Sequence, residues 1–119
     1  MSEFIRWGLS RGRFPAKQIE ELAHLSGTTP EEYIADQMVY PANLLAKNIS
    51  GYALCEFTID KEGVILRPHI LKATHSEFAE EALRIVKGMP KWSPALAGGK
   101  PTDSNYTLYI PFRPKLYKP

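Results

Sequence analysis

The sequence predicts an α+β fold, and three stretches of the chain carry that prediction. Residues 52–71 alternate in polarity on both sides of a turn at 60–63, a pattern typical of a β-hairpin. Residues 76–87 place apolar side chains at three- and four-residue spacing, which indicates an amphipathic helix, and residues 104–112 alternate again as a strand. Because an isolated hairpin is marginally stable in water, we expect the helix and the last strand to cover it.

The hairpin is the most explicit part of the pattern. Gly63 can take the positive φ that closes a short hairpin loop. In the first strand, one face is expected to hold Ala53, Cys55, Phe57 and Ile59. In the second strand, one side is expected to hold Val64, Leu66, Pro68 and Ile70, and the other Ile65, Arg67, His69 and Leu71.

The helix over residues 76–87 is predicted to cover the sheet. Ser76 is the expected N-cap, and Gly88 with Pro90 is expected to end the helix. The apolar stripe consists of Phe78, Ala79, Ala82, Leu83, Ile85 and Val86. The face expected in water carries Glu77, Glu80, Glu81 and Arg84.

Shorter helical segments are predicted before the hairpin. A helix is expected from Ala16, with Gly27 just past its end and a stripe made of Ile19, Leu22, Ala23 and Leu25. Thr29, Pro30 and Glu32 have the spacing of a capping box and predict a second helix. Pro41 signals a third, short helix.

Length and composition favour one globular domain with a single core. The chain has 119 residues, of which 44% are apolar, and its net charge of +2 is too small to identify a partner. The charge is nevertheless uneven, because from residue 87 onward only Asp103 is acidic, whereas the basic residues are Lys87, Lys91, Lys100, Arg113, Lys115 and Lys118. The C-terminal quarter is therefore locally cationic.

No residue pattern predicts catalysis, so we expect a protein that is not an enzyme and has no catalytic residue, cofactor or metal ion. His24, His69 and His75 do not have the spacing of metal ligands. Cys55, the single cysteine, cannot form an internal disulfide and is expected in the core. The glycine pair at 98–99 precedes a strand rather than a helix, unlike a phosphate-binding loop.

The first fifteen residues interleave aromatic and basic side chains, namely Phe4, Trp7 and Phe14 with Arg6, Arg11 and Arg13. Such a pattern can bind nucleic acid, but an arm that packs its aromatic residues on the domain also explains it, and we expect no nucleic-acid partner. No stretch approaches the about 20 apolar residues of a membrane span, and we expect neither a signal peptide nor a membrane segment in this chain.

Seven short motifs, in this order and spacing, resemble the C-terminal domain of the TonB family of energy transducers. They are Tyr40-Pro41, Asn48-Ile49-Ser50-Gly51, Phe57-Thr58-Ile59-Asp60-Lys61-Glu62-Gly63, Glu81-Ala82-Leu83, Met89-Pro90-Lys91-Trp92-Ser93-Pro94-Ala95, Gly99-Lys100-Pro101 and Ile110-Pro111-Phe112. The resemblance covers about residues 31–113. The Met-Pro-Lys-Trp sequence at 89–92 resembles the Bacteroidetes branch in particular. The predicted organisation is therefore a TonB-like domain over residues 29–119, preceded by an arm and helix over residues 1–28 that lie outside the resemblance.

The resemblance implies a three-stranded antiparallel sheet with helices packed on one face, to which this chain adds its N-terminal helical extension. Such domains lie in the periplasm, where they grip an extended segment of outer-membrane TonB-dependent receptors and transmit force for transport. The force comes from an inner-membrane motor of the ExbB/ExbD type. Residues 1–28 contain neither the membrane helix nor the proline-rich spacer usual in the family. We therefore expect contact with the motor only through a membrane anchor absent from this chain, as in a piece of a larger inner-membrane-anchored protein. A variant without the motor connection is the alternative.

Two functions stay open: receptor binding with force transmission, or a TonB-like interaction or sensory domain of a membrane signalling protein without a transport role. The candidate site is the last strand, predicted to be an exposed edge that binds an extended peptide by strand addition, with residues Asn105, Tyr106, Thr107, Leu108, Tyr109 and Ile110. Pro111 and Pro114 remove donors near its end, and Lys100, Arg113 and Lys115 favour acidic partners. A homodimer that shares strands, a helix or the N-terminal arm could instead occupy this edge.

Overall fold

The structure, a computed structural model, describes residues 21–119, so the aromatic and basic arm at 1–15 and the start of the first predicted helix lie outside the described residues. The helices are α1 (Pro30–Gln37), α2 (Ala42–Ala46) and α3 (Ser76–Lys87), followed by a 3₁₀ turn at Pro114–Leu116. The strands are β1 (His24–Leu25), β2 (Gly51–Ile59), β3 (Ile65–Ala73), β4 (Trp92–Ser93), β5 (Ala95–Ala97), β6 (Lys100–Thr102) and β7 (Ser104–Phe112).

The main sheet has three antiparallel strands in the order β3-β2-β7, which confirms the predicted α+β fold. β2 and β7 pair without interruption from Gly51 opposite Phe112 to Ile59 opposite Ser104. Two short ladders, β1 with β4 and β5 with β6, lie outside this sheet. The inward side chains of β2 follow the predicted alternation, and Ala53, Cys55, Phe57 and Ile59 are all buried.

The hairpin turn is held by one aspartate and by the absence of a side chain at one glycine. The Oδ1 atom of Asp60 accepts hydrogen bonds from the backbone N–H groups of Glu62 and Val64, at 2.8 and 2.9 Å. Gly63 has a φ of +86°, and a Cβ atom there would collide with the carbonyl oxygen of Trp92. The carbonyl of Gly63 accepts a 2.9 Å hydrogen bond from the N–H of Trp92, so the turn also positions the tryptophan.

Helix α3 covers the inner face of the sheet, as predicted. Phe78, Ala82, Ile85 and Val86 are buried, and the ring of Phe78 stacks on that of Phe112 with centroids 4.2 Å apart. The predicted N-cap was wrong by one residue, because the cap is His75 and it makes no side-chain capping hydrogen bond.

Glu81 was also predicted wrongly, since it is buried rather than in water. Its carboxylate accepts a 2.7 Å hydrogen bond from the N–H of Val39, and bonds of 2.8 and 2.7 Å from Nε and Nη2 of Arg84. The same Nη2 donates to the carbonyl of Gln37 at 2.7 Å, and hydrogen bonding to Glu81 raises the pKa of Arg84. A buried carboxylate is tolerated when its oxygens are paired in this way, and here it fastens the end of α1 to α3.

Strand β3 does not keep the predicted alternation. Its pairing with β2 shifts register twice, and Arg67 takes a φ of +53° at one of these bulges. Each bulge moves the following side chains to the other face of the sheet. As a result, Ile65 rather than Leu66 packs against the core, together with Ile70 and Ala73.

The helix predicted from Ala16 is wrong in its described part, because residues 21–25 are extended. Glu21 bridges Leu96, and β1 pairs with β4. Ala23 and Leu25 are buried at 7% and 3% exposure, whereas Leu22 is 53% exposed, which is the alternation of a strand. The domain boundary between residues 28 and 29 stays a prediction, although these two buried side chains belong to the core cluster.

We expect Phe78→Ala to reduce the free energy of unfolding by about 3–5 kcal/mol, because it leaves a cavity against Phe112. Leu83→Ala, on the half-buried side of the same helix, should lose only about 1–2 kcal/mol. Urea denaturation followed by circular dichroism measures both values. An equal or larger loss in Leu83→Ala would show that α3 presents a different face to the sheet.

The boundary can be tested with two leucines three positions apart. Leu25→Ala should lose about 2–5 kcal/mol because Leu25 is buried, and Leu22→Ala should change stability by less than about 0.5 kcal/mol. The same denaturation experiment compares them. If neither variant is destabilised, residues 21–28 are an appendage and the domain begins at α1.

Candidate functional site

The main sheet has two edges, β3 and β7, and they differ in how readily another strand could join them. β3 carries two register shifts, the left-handed residue Arg67 and an internal proline, Pro68, all of which disrupt a regular row of hydrogen-bonding groups. β7 pairs with β2 in one continuous register of nine residue pairs. Among the described residues, the regular edge is therefore β7.

The hydrogen bonds of Tyr52 establish which backbone groups face outward. The N–H of Tyr52 donates to Oγ1 of Thr74 at 3.0 Å, and the N–H of Thr74 donates to the carbonyl of Tyr52 at 3.1 Å, so Tyr52 faces β3. Successive residues of an antiparallel strand direct their N–H and C=O groups to opposite neighbours. The backbone groups of Ala53, Cys55 and Phe57 therefore face β7.

The continuous register extends this alternation to β7. Opposite these three residues of β2 lie Ile110, Leu108 and Tyr106, whose backbone groups consequently face β2. The backbone groups of Asn105, Thr107 and Tyr109 point away from the sheet. Pro111 holds the fourth outward position, where it offers a carbonyl but has no N–H. Among residues 21–119, β7 pairs only with β2 in the main sheet.

The six predicted site residues thus divide into two groups of three. Leu108 and Ile110 are buried, and Tyr106 is half-buried beside Trp92, so these side chains hold the strand in place. Burial, followed by the negative charge of Glu31, raises the pKa of Tyr106. Asn105, Thr107 and Tyr109 have exposed side chains as well as outward backbone groups.

On the outer face, two contacts order the exposed side chains of β7. Asn105 accepts a 2.9 Å hydrogen bond at Oδ1 from the hydroxyl of Thr58, and the ring of Tyr109 lies 5.7 Å from that of Tyr52. The exposed side chains of β7 are therefore ordered at both ends of the strand.

A groove of about 320 Å³ lies beside the C-terminal half of β7, which we call the β7 groove. One wall comes from α1 and the other from the C-terminal segment, and the apolar lining consists of Ile34, Ala35, Met38, Tyr109, Pro111, Leu116 and Tyr117. The charged residues that line it are Glu31, Arg113 and Lys118. Of the three predicted cationic residues, Arg113 lines the groove, whereas Lys100 and Lys115 do not.

Sequence reasoning missed the α1 wall and the C-terminal wall of the β7 groove. The capping box correctly predicted α1, and both of its hydrogen bonds are present at Thr29 and Glu32. Nothing in that local pattern shows that the helix lies next to the last strand. In the sequence, a leucine at 116 after two prolines is a weak signal of an apolar C-terminal surface, and the structure shows this side chain 69% exposed.

The groups that could support other chemistry are placed unfavourably for it. Cys55 is fully buried, and burial raises the pKa of its thiol to about 11. His69 forms a 3.1 Å contact with the carboxylate of Glu56 on the outer face. Within residues 21–119, no group of three or more histidine, cysteine or acidic side chains could hold a metal ion. The helices in that same part of the chain are all too short or too polar to cross a membrane.

The fold is an α+β module in which a small sheet keeps one regular edge unpaired among the described residues. A family model for the Gram-negative bacterial TonB protein C-terminal domain matches residues 36–114. The match spans more than half of the chain, and the protein therefore belongs to this family. A comparison with curated proteins gave no match.

Membership confirms the resemblance that the sequence motifs carried, while the Bacteroidetes branch stays a prediction. Domains of this family are periplasmic, non-enzymatic modules of energy transduction and protein interaction. As a family they interact with outer-membrane receptors. The chain is thus a TonB-like periplasmic protein-interaction domain.

We expect Cys55 to react slowly with thiol reagents in the folded protein. With a pKa of about 11, only about one thiol in a thousand is ionised at pH 8, and the thiolate is the reactive form. Labelling with a chromogenic disulfide at pH 8 should be at least about a hundredfold slower in buffer than in guanidinium chloride. Equal rates in the two solutions would place Cys55 outside the core.

Proposed function

We propose that this domain holds an extended segment of an outer-membrane TonB-dependent receptor by adding it to β7 as a fourth strand, and that it transmits force for uptake through this strand. The observation that carries the proposal is the outward row of backbone groups at Asn105, Thr107 and Tyr109. This row offers three N–H donors, and Pro111 adds a fourth carbonyl acceptor. A partner strand would satisfy these groups in regular antiparallel or parallel geometry.

Strand addition supplies affinity and selectivity from different atoms. Main-chain hydrogen bonds contribute about 0.5–1.5 kcal/mol each and are indifferent to the partner's side chains. Selectivity then comes from the exposed side chains of Thr107 and Tyr109, which lie two residues apart on the outer face. Arg113 at the end of the row favours partners with acidic residues.

The paired strands also provide a path for a mechanical load. A pull on the partner would pass to β7 and then to β2 through the continuous ladder of nine residue pairs. At the other end of the path, Glu81 and Arg84 fasten α1 to α3, and β1 pairs with β4. Connection to a motor of the ExbB/ExbD type would pass through residues before α1 and an inner-membrane anchor.

The binding test is a titration of the isotope-labelled domain with overlapping synthetic peptides that cover the periplasmic N-terminal segments of TonB-dependent receptors. Amide shifts should be larger at Asn105, Thr107 and Tyr109 than at Tyr106, Leu108 and Ile110, because only the first group gains hydrogen bonds. Shifts confined to β3 or the helices would contradict strand addition. Binding of segments from periplasmic signalling proteins, with no binding of receptor segments, would favour the sensory alternative.

A proline substitution tests the main-chain contribution separately. Thr107→Pro removes the central outward N–H, and strands accept proline where that group faces solvent, as Pro111 illustrates. We expect the variant to fold and to bind the best receptor peptide about tenfold or more weakly. Thr107→Val, which keeps the N–H, should bind within about threefold of the unmodified domain. Equal binding by both variants would show that β7 is not the contact strand. Circular dichroism and sedimentation of all three proteins exclude unfolding and strand-sharing dimers as the cause of lost binding.

A further inference from the structure

We propose that the β7 groove is a side-chain subsite, which accepts one large apolar residue of the added strand while Arg113 and Lys118 bind an acidic neighbour of that residue. The proposal rests on strand addition at β7 and specifies the peptide that the site selects. The backbone row would then bind extended segments in general, and the groove would choose among them.

The β7 edge and the β7 groove are continuous. Tyr109 and Pro111 are the last two outward residues of β7, and both also line the groove. A partner strand that pairs with Tyr109 therefore lies directly beside the opening. Since side chains of a strand alternate between its two faces, every second residue of the partner can be directed towards the groove wall.

The β7 groove is mainly apolar and has the size of a side-chain pocket. Tyr109 and Leu116 are 50% and 69% exposed, which is high for large hydrophobic side chains of the described part of the chain. Ile34, Met38 and Tyr117 supply further apolar surface. The volume of about 320 Å³ is at the lower end of the range of about 300–1,000 Å³ for small-molecule sites. This space suits one or two side chains and is too small for a folded element.

The two walls of the β7 groove carry opposite charges. Arg113 and Lys118 lie on the C-terminal wall, and Glu31 lies on the α1 wall, so the lining carries a net positive charge. An acidic residue next to the apolar anchor would be attracted to the C-terminal wall and repelled from α1. The charges thus favour one placement of the acidic neighbour and disfavour the opposite one.

The experiment uses the receptor peptide that gives the largest shifts on β7, together with a series in which each of its residues is replaced by glycine. We expect one apolar position where replacement weakens binding about tenfold or more, as measured by fluorescence anisotropy. Two variants of the domain should remove this sensitivity: Leu116→Ala, which opens the C-terminal wall, and Ala35→Phe, which fills the groove from the exposed side of α1.

Matched controls carry the same substitutions elsewhere. Leu71→Ala changes a leucine that is 51% exposed on β3, and Ala42→Phe changes an exposed alanine of α2, and neither residue lines the groove. Both controls should bind the peptide series as the unmodified domain does. Arg113→Glu should weaken binding of peptides that carry the acidic residue and should have little effect on peptides in which glutamine replaces it.

Each outcome separates the subsite from strand addition. If peptides shift β7 but Ala35→Phe binds them as well as Ala42→Phe does, the groove is not a subsite and strand addition stands. If no peptide shifts β7, both proposals fail together. If the domain forms a dimer that excludes the peptides and Ala35→Phe dissociates it, the occupant of the groove is a second copy of the chain and this inference is overturned.

Discussion

The stacking of Phe78 on Phe112 across the bare backbone of Gly51 is the contact on which the rest of the structure depends. Gly51 lies opposite Phe112 in the β2–β7 register, and a Cβ atom there would collide with Thr74 and with the ring of Phe78. The contact therefore fixes the position of α3 on the sheet and the register of the last strand together. A slip of one residue would turn the buried side chains of β7 outward and would reverse its row of backbone groups.

Local patterns were sufficient to predict the elements whose stabilising contacts lie within a few residues. The turn at Asp60, the capping box at Thr29 and the alternation of β7 all belong to this class. The predictions failed where a distant partner decided the outcome. Glu81 is buried because Val39 and Arg84 satisfy its oxygens, and residues 21–25 are extended because β4 and Leu96 pair with them. In residues 21–25 the tertiary contact outweighed the local helical pattern, whereas Glu81 stays in the predicted helix and only its burial differs from the prediction.

The sequence predicted which strand forms the candidate site, but it did not predict which backbone N–H groups of that strand point outward. Alternation located β7, and Pro111 near its end was expected to remove a donor. Which N–H groups point outward was shown by the hydrogen bond from Tyr52 on β2 to Thr74, the residue just after β3, and this long-range contact has no signature in sequence. The β7 groove was even harder to predict from the sequence, because its two walls come from segments about eighty residues apart. A sequence pattern reports the face of a strand, whereas the direction of its backbone groups needs the neighbouring strand.

Pro111 limits the length of the hydrogen-bonding edge of β7. The outward donors end at Tyr109, because the next outward position has no N–H, and the row begins at Asn105 directly after the residue that starts β7. Under the proposed strand addition, a partner would therefore pair over only about half a dozen residues, the span of a short linear motif. So few main-chain bonds make an individual encounter brief, since differences in affinity among related complexes are expressed mainly in how fast they dissociate. Strand addition at such an edge would therefore suit brief contacts with several partners that share one short segment.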